Sequence, residues 1–545
     1  MIFMERTLIR ISIVFFVTNM SAEGRYFYDE CIDQMGTEFL FMFCEHYIKG
    51  SIVKVFCSTP LNSEVSVRIQ TPVWDAGTID ITVTVTPGSV TEVDLPRSLR
   101  MTGTGKGKTS ILVTASDTIT VYAADTQANT GDTFMVYPTD ALGSEYIDIT
   151  YNQTSTSYAS SLGIVALYDL TVVEIDPPPG GSISYDGTDY TAGQILTVTI
   201  NKYELFQIQS HDLSGTHVRS SFPLSVISAH EYIRMGTSNS KDFMQTMLPP
   251  VSSLSTTYVV FGFPMYSKPE IVRIVNSREN TTIIITLPSV SVFLEKIGSM
   301  YDIEVAPGVG SVITADKGVI VALVSQSRSM SPYGDPRVIV ALSADQFLSE
   351  YTFPIANLTG KVVFTHRIVI MAKTSDVSNI KLDNSYIADL GLVWTELINT
   401  NLSVTFTILD VGVHSLTSDD VTSVFGGYLA GHGSTEEYGT LTGRYLGNTN
   451  QSVCTDGISC NYGRYRGATF TQRAFGYTPS SEPLVTLQTD SVPLCQAKCL
   501  TIDICVYMTM LEENGISFCK LYDPKASCSQ MVESEGTRLY KRSVA

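Results

Sequence analysis

Short segments that alternate between apolar and polar residues recur along most of the chain. Examples are "IDITVTVTP" from Ile79, "QILTVTI" from Gln194 and "VTFTILDV" from Val404. Gly, Pro, Asn or Asp separates these segments, and a period of two broken by such residues is typical of β-strands joined by turns. The segments follow one another at the short intervals found in β-sandwiches and barrels. We therefore predict an all-β fold.

The strand pattern also repeats over a longer distance. Four stretches each predict a strand, a tight turn at a small or acidic residue and a second apolar strand, and they start at Ile111, His217, Ser311 and Ser415. A second shared element follows the first three and ends in Tyr146, Tyr258 and Tyr351. The spacing suits one β domain per copy. We predict tandem sandwich-like β repeats, with a small propeller-like closure as the alternative, because propeller blades are usually about 40–50 residues long.

The ends of the chain differ from this repeat region. Two arginines, a short apolar run and small residues near Ala22 form a signal-peptide pattern over residues 1–22, and the apolar run is too short to span a membrane. The repeats are expected within residues 23–446 and a Gly-rich linker within 447–469. Residues 470–545 are rich in cysteine. We predict a secreted, extracellular protein with no membrane span.

The ten cysteines are unevenly placed, with Cys31, Cys44 and Cys57 near the start and the others at Cys454, Cys460, Cys495, Cys499, Cys505, Cys519 and Cys528. An even total in an oxidising compartment predicts disulfides. The odd N-terminal trio leaves room either for an intermolecular bridge or for one link to Cys454 or Cys460. The i, i+4 spacing of Cys495 and Cys499 predicts a short helix, and zinc is disfavoured because paired C-x2-C spacing is absent.

The net charge and the surface motifs limit the classes of molecule that the protein is expected to bind. The net charge of −19 is spread along the chain, which opposes binding to nucleic acid or to anionic lipid. Five sequons predict N-glycosylation at the surface, and they lie at Asn152, Asn280, Asn357, Asn401 and Asn450. Exposed tyrosines are favoured at recognition surfaces, although many of the 28 tyrosines are expected to pack across strands.

No stretch predicts catalysis. His230 and Glu231 end a repeated strand whose other copies hold different residues, and no partner for a general base is identifiable. "GTGKGKTS", residues 103–110, precedes a strand rather than the helix that a phosphate loop needs. "GDPR", residues 334–337, is interpreted as a turn before a strand, and "TSDD", residues 417–420, as a solvated turn rather than a calcium site. We expect no enzyme activity, no cofactor and no metal.

Residues from about Gly36 to Gly439 contain, in order, "GTEFLFMF", "DTITVYAAD", "YPTDALGSEY", "SGTHVRSSFPLSVISAHEY", "MLPPVSSLSTTYVV", "GDPRVIVALSADQFLSEYTF" and "FGGYLAGHGSTEEYG". This series resembles the N-terminal domain of the IgGFc-binding protein family, whose members are extracellular and associated with mucus. The family pattern commonly has one cysteine after the His-Glu pair and another before the "LPP" element. Here Tyr232 and the pair Lys241-Asp242 occupy those places, so that bridge is missing.

The tail from Phe470 to Arg542 resembles a PAN/apple domain, a small disulfide-rich α+β fold of adhesive extracellular proteins. That resemblance implies that Cys495 pairs with Cys519 and Cys499 with Cys505. It also implies that Cys528 closes the domain with Cys454 or Cys460. A domain of this kind binds protein or carbohydrate.

Together these observations predict a secreted, non-enzymatic adhesion or recognition protein whose ligand is a protein or a glycan, with a role in mucus or in immunity. The alternative is a structural component of mucus or extracellular matrix, linked between chains by a disulfide or by self-association.

Overall fold

A computed structural model describes residues 32–447, apart from residues 49, 51, 128–129, 152–157, 237–239, 328–334, 357, 359–362, 399, 421 and 434–435, and five strands beyond residue 467. Strands dominate this part of the chain, which confirms the predicted all-β class. The helices in the described residues are short 3-10 turns, η1 (Arg97–Leu99), η2 (Thr139–Ala141), η3 (Val251–Ser253), η4 (Ala344–Gln346) and η5 (Val377–Asn379). None of them has the length or the apolar character to cross a bilayer.

Four repeats follow one another, over residues 35–136, 143–247, 257–340 and 350–441, and the third shows their plan most simply. Its eight strands form two four-stranded antiparallel sheets, ordered β18-β23-β20-β21 and β22-β19-β24-β25. They are β18 (Thr257–Phe261), β19 (Glu270–Asn276), β20 (Thr281–Ile285), β21 (Val290–Leu294), β22 (Met300–Val305), β23 (Gly310–Ala315), β24 (Val319–Val324) and β25 (Val338–Val340).

The fourth repeat has the same two sheets, β26-β32-β28-β29 and β31-β27-β33-β34, with one short extra strand, β30, beside β31. Its strands are β26 (Glu350–Ile355), β27 (Thr365–Lys373), β28 (Ile380–Leu382), β29 (Ser385–Tyr386), β30 (Thr395–Glu396), β31 (Leu402–Leu409), β32 (Gly412–Ser418), β33 (Phe425–His432) and β34 (Glu437–Leu441).

In the first and second repeats one long strand belongs to both sheets. The first repeat pairs β1-β7-β3-β4 and β5-β2-β7-β8, and the second pairs β9-β16-β11-β14 and β15-β10-β16-β17. The first contains β1 (Met35–Phe41), β2 (Ile52–Ser58), β3 (Val65–Gln70), β4 (Asp80–Val85), β5 (Thr91–Leu95), β6 (Gly105–Gly107), β7 (Ile111–Gln127) and β8 (Thr130–Val136). The second contains β9 (Gly143–Ile147), β10 (Ser160–Ala166), β11 (Thr171–Asp176), β12 (Ser182–Tyr185), β13 (Thr188–Thr191), β14 (Leu196–Ile200), β15 (Leu205–Ser210), β16 (His217–Ile233) and β17 (Asp242–Met247).

These long strands correct one detail of the sequence prediction. The sequence pattern predicts a turn in all four copies, but β7 and β16 continue through its position, and only the third and fourth copies break into two strands. In β7 the ladder with β1 is interrupted between the pairs Gly36–Ile119 and Glu38–Thr114. The extra residues of β7 therefore leave the ladder as a bulge, which bends the strand from one sheet into the other.

The alternating pattern determines which side chains fill each sandwich. In β20, Ile283 and Ile285 are buried, while Ile284 between them is 57% exposed. Successive side chains of a strand point to opposite faces, so one face of each sheet packs on its partner sheet and the other faces outward. The sandwich-like repeats predicted from the sequence are present.

A buried tyrosine near the start of each later repeat joins two parts of the sandwich. The hydroxyl of Tyr258 accepts a hydrogen bond from the Ser255 N–H (3.2 Å) and donates one to the carbonyl of Val319 (2.8 Å). Tyr146 and Tyr351 make the same two kinds of bond. The repeated tyrosines seen in the sequence are therefore structural, because each ties the entry of its repeat to a central strand.

The last strands of the four repeats meet and close the array into a ring. Strand β17 contacts β8 and β25, and β34 contacts β25 and β8. Buried carboxylates at these strands accept backbone N–H groups from neighbouring repeats: Asp242 accepts from Gly131 (2.8 Å), and Asp132 accepts from Gln245 (3.2 Å). The sandwiches themselves therefore close into a ring, and the repeats are not the four-stranded blades of the propeller-like alternative.

Arg337 is the cation at this junction, and its side chain is completely buried. Its guanidinium donates to Glu270 of the same repeat (2.6 Å) and to Glu437 of the next (2.8 Å), and it lies 4.5 Å from the centre of the Phe263 ring. Burial raises the pKa of Glu437 well above its usual range. The arginine of "GDPR" therefore precedes a strand, as predicted, but it also joins two repeats.

Beyond residue 467 the described strands form a five-stranded antiparallel sheet, ordered β35-β39-β37-β38-β36. They are β35 (Ala468–Pro479), β36 (Val485–Gln488), β37 (Tyr507–Glu513), β38 (Ile516–Tyr522) and β39 (Met531–Val544). The helix predicted around Cys495 and Cys499 lies outside the described residues. The PAN/apple assignment of this region stays a prediction.

Replacing Arg337 by methionine should destabilise the protein by about 3 kcal/mol, because it leaves two carboxyl groups buried without their cation. Denaturant unfolding, followed by tyrosine fluorescence at pH 8 and at pH 5, measures the loss. Burial raises the pKa of Glu270 and Glu437. In the variant, protonation of these groups stabilises the folded state as the pH falls, so the loss should be smaller at pH 5.

Arg68→Met provides the control, because Arg68 also pairs with a carboxylate, Asp80, but at the surface (2.6 Å). Water screens such pairs, so this variant should unfold at nearly the wild-type denaturant concentration. Equal effects of the two substitutions would contradict a special role for the buried junction.

Candidate functional site

His230 and Glu231, the pair that most resembles a catalytic site in the sequence, face different surroundings. Successive residues of a strand point to opposite faces. The imidazole of His230 is buried, its Nδ1 accepts the Tyr232 N–H (3.2 Å), and burial lowers its pKa to about 3. The carboxylate of Glu231 instead accepts the side-chain amide of Gln209 (2.8 Å). The two residues therefore do not act as one acid-base pair.

Beside them, three tyrosines from separate segments, Tyr47, Tyr158 and Tyr232, form an aromatic cluster. We call these three residues and Lys241, which contacts two of the rings, the tyrosine surface. The rings of Tyr47 and Tyr232 stack with their centres 5.1 Å apart, and Tyr158 meets both edge-on, at 4.6 and 5.4 Å. Tyr47 is 46% exposed, and the other two tyrosines are partly exposed. An aromatic group in contact with solvent is thus built into the folded chain.

The fold holds the cluster in place through backbone contacts. Tyr232 lies at the end of β16, and the Glu231 carbonyl next to it accepts the Tyr47 N–H (3.3 Å). The Glu231 N–H donates to the carbonyl of Ala159 (3.1 Å), which adjoins Tyr158. One strand end therefore brings the loop after β1 and the segment before β10 together, so the rings are preorganised.

Lys241 provides the positive charge of the tyrosine surface. Its ammonium nitrogen lies 4.8 Å from the centre of the Tyr158 ring and 5.5 Å from that of Tyr232, within the range of cation–π attraction. Tyr232 and Lys241 occupy the places where the family resemblance implies a disulfide. Their proximity shows that these two places do adjoin each other, and a cation–π contact stands between them here.

A polar rim made of Glu45, Gln209 and Glu231 lies next to the aromatic cluster, because Glu231 directly precedes Tyr232 and Glu45 lies two residues before Tyr47. The side-chain amide of Gln209 donates to Glu45 (3.2 Å), Ser161 (3.0 Å) and Glu231 (2.8 Å). A hydrogen bond to Tyr47 is the main cause that raises the pKa of Tyr158 to about 12. Its hydroxyl therefore keeps its proton at neutral pH and can still form hydrogen bonds. Aromatic faces, a cation and carboxylates together suit binding of another molecule rather than bond-breaking chemistry.

The residues of the other two candidate motifs make contacts within the fold. Lys106 of "GTGKGKTS" lies in β6, which pairs with β15 of the next repeat, and its ammonium donates to the Thr199 carbonyl (2.7 Å). In "TSDD", Asp419 pairs with Lys381 (2.5 Å), and Asp420 accepts the N–H of Thr422 (2.9 Å). Among the described residues, no three His, Cys, Asp or Glu side chains are grouped as a metal site requires.

Two of the predicted disulfide residues are seen as free thiols. Cys44 and Cys57 are both fully buried, and burial raises the pKa of the Cys57 thiol to about 12. Each thiol is packed in the apolar core, and the predicted bridges of these two residues stay a prediction, because Cys31, Cys454 and Cys460 lie outside the described residues. Cys519 lies in β38, and the remaining candidates, Cys31, Cys454, Cys460, Cys495, Cys499, Cys505 and Cys528, fall outside the described residues.

Two of the five sequons lie in described segments. Asn280 and Asn401 are both exposed, each in the turn before a strand. Asn152, Asn357 and Asn450 are outside the described residues.

The buried thiols lead to a simple chemical test. Neither Cys44 nor Cys57 should react with a maleimide reagent in the native protein, because the reactive thiolate is disfavoured by burial and the reagent cannot enter the core. Both should react after denaturation without a reductant. Mass spectrometry of the labelled peptides measures this, and labelling that needs a reductant would show that these residues are bridged.

The fold and the surface define the class of this protein: a ring of β-sandwich repeats that displays a preorganised aromatic cluster. Residues 132–431 match the family model described as IgGFc binding protein. This match covers more than half of the chain, and the chain belongs to the IgGFc-binding protein family. The match begins within β8, the strand of the first repeat that takes part in the ring. This start is later than Gly36, where the motifs of the sequence predict the family resemblance to begin.

One named relative is the human IgGFc-binding protein, which is 28% identical over 245 residues. The aligned part is 44% of this chain but only 4% of the human protein. The chain therefore spans a small fraction of the length of that relative.

Solved structures add no information on the fold. The Salmonella alpha-2-macroglobulin reacted with methylamine has a TM-score of 0.14 and 10% identity, over 93% of this chain and 37% of that one. The trypsin-activated alpha-2-macroglobulin from Escherichia coli has a TM-score of 0.12 and 6% identity, over 93% and 46%. Overlaps with TM-scores this low carry no argument about architecture.

Sequence reasoning missed the members of the tyrosine surface as a group. Tyr47, Tyr158 and Tyr232 are each more than 70 residues apart, so no local spacing connects them. The one available signal was the replacement of the family's cysteine positions by Tyr232 and Lys241.

Proposed function

We propose that this protein is a secreted, non-enzymatic recognition protein and that its tyrosine surface binds a protein ligand. The observation that carries the proposal is the contact between three solvent-accessible tyrosine rings from three segments, two of which also contact Lys241. Tyrosine supplies large contact area with few rotatable bonds, and a rigid aromatic group loses little entropy on binding. Aromatic residues of this kind dominate the energy of many protein interfaces.

The family supports a protein as the ligand. The human relative is named for binding to the Fc part of immunoglobulin G. The acidic net charge of this chain disfavours nucleic acid and anionic lipid. A glycan is the second class of ligand, for which the polar rim of Glu45, Gln209 and Glu231 would supply hydrogen-bond acceptors and donors.

The crosslinked matrix component, the other function considered, has less support. Two of the three N-terminal cysteines on which it relied are buried thiols. A reagent or another chain would have to open the core of the first repeat to reach them.

Binding by the secreted full-length chain tests the proposal. The probes are the Fc fragment of immunoglobulin G, an array of extracellular proteins and a glycan array. For a protein that binds, Tyr47→Ala and Tyr232→Ala should each raise the Kd by about 10- to 30-fold, as loss of an interface hot spot does. Surface plasmon resonance measures the change.

Tyr386→Ala is the matched control. Tyr386 is also exposed (38%), and the ammonium of Lys381 lies 4.6 Å from its ring centre, but it belongs to the fourth repeat. The Tyr386→Ala substitution should leave the Kd unchanged. Binding that survives both substitutions in the tyrosine surface would place the contact elsewhere, and binding to glycans alone would favour the second class of ligand.

A further inference from the structure

The outer face of the hairpin β20–β21 carries apolar side chains that no other part of the described chain covers. Phe293 is 61% exposed, and Ile284 is 57% exposed. Thr282 lies directly opposite Phe293 in the ladder, and Ile284 lies opposite Ser291, so these side chains share one face. An uncovered aromatic ring and an isoleucine side by side favour contact with another apolar surface.

Asn280 stands at the end of the same hairpin. Its backbone N–H donates to the carbonyl of Glu295 (2.8 Å), and its own carbonyl accepts the ammonium of Lys317 (2.9 Å). The backbone is in the left-handed region (φ 54°), which asparagine tolerates better than most residues. The residue is thereby fixed at an exposed position one step beyond the first ladder pair, Thr281–Leu294.

From these contacts we infer that Asn280 is an N-glycosylation site and that the first sugars of its glycan cover Phe293 and Ile284. Asn280, Thr281 and Thr282 form the Asn-x-Thr acceptor sequence. The Asn280 N–H donates to the Glu295 carbonyl (2.8 Å), so Asn280 lies beside a residue that is two positions after Phe293 on the hairpin. Two residues of an extended strand span about 7 Å, a distance that one or two sugar rings cover.

In the reaction, a new bond forms between the Asn280 side-chain nitrogen and the anomeric carbon of an oligosaccharide. The donor is a lipid-linked diphosphate oligosaccharide of the secretory pathway. Its bond between the anomeric carbon and the phosphate oxygen breaks, the lipid diphosphate leaves with the bonding electron pair, and one proton of the amide nitrogen passes to water. The apolar face of the attached sugar can then lie against the Phe293 ring, which removes both surfaces from water.

This inference rests on the proposed secretion, because only a chain in the secretory pathway meets the donor. The test therefore uses the full chain secreted from a eukaryotic cell line, with glycopeptide mass spectrometry at every sequon. Asn280 should be occupied. If Asn280 is bare while another sequon carries a glycan, the inference fails and secretion stands. A secreted chain without glycan at any sequon likewise contradicts the inference alone, whereas a chain that the cells retain contradicts the proposed secretion.

A second measurement tests the contact with Phe293. A peptide N-glycosidase applied to the native protein should release the Asn280 glycan several-fold faster from Phe293→Ala than from the wild type, because the covered sugars become accessible. Phe406→Ala removes a comparably exposed phenylalanine (48%) from the fourth repeat and should not change this rate. Equal release rates in all three proteins would overturn the proposed contact.

Discussion

The ion pairs of the buried Arg337 join the third sandwich to the fourth. Its guanidinium reaches Glu270 in its own repeat and Glu437 in the next, so neither repeat can move away without leaving a charge buried alone. Such a separation is costly, whereas the intact, hydrogen-bonded pairs are tolerated in the interior. Because Glu437 begins β34, the same contact positions the strand that meets β8 of the first repeat. The paired charges thus lie at one of the strand contacts that close the ring, the contact between β25 and β34.

This constraint explains why the sequence predicts the repeats better than their assembly. Alternation of the kind seen in β20 predicts a strand and its buried face, because both depend on neighbouring residues. The repeated tyrosines are equally visible. In contrast, Arg337 and Glu437 are 100 residues apart, and nothing in their local sequence distinguishes a buried ion pair from two surface charges. The unbroken course of β7 was also missed, because a bulge and a turn have the same small and polar residues.

The candidate site follows the same logic. His230 and Glu231 attract attention because they are adjacent, but adjacency along a strand separates side chains. The tyrosine surface arises because backbone hydrogen bonds on both sides of Glu231 bring two distant segments together. A disulfide at the places of Tyr232 and Lys241 would pin β16 to the start of β17 covalently. The cation–π contact found there is weaker, but it leaves aromatic surface available to a ligand.

A ring built in this way separates stability from recognition. The strands that close the ring are buried, so changes in them affect folding first. The ends of the long strands and the outer hairpin β20–β21 do not take part in closing the ring. Exposed aromatic side chains occur at both places, Tyr47 beside the end of β16 and Phe293 on β21. The surroundings of these two side chains indicate different functions. Tyr47 stacks on Tyr232 and meets Tyr158 edge-on, and Lys241 contacts these two neighbouring rings, so a cation is available to a ligand beside the aromatic faces. Phe293 lies near the Asn280 sequon and beside the apolar side chain of Ile284. These neighbours favour a glycan that stays attached and covers the ring. An exposed aromatic residue in this fold therefore has to be judged by the polar groups around it.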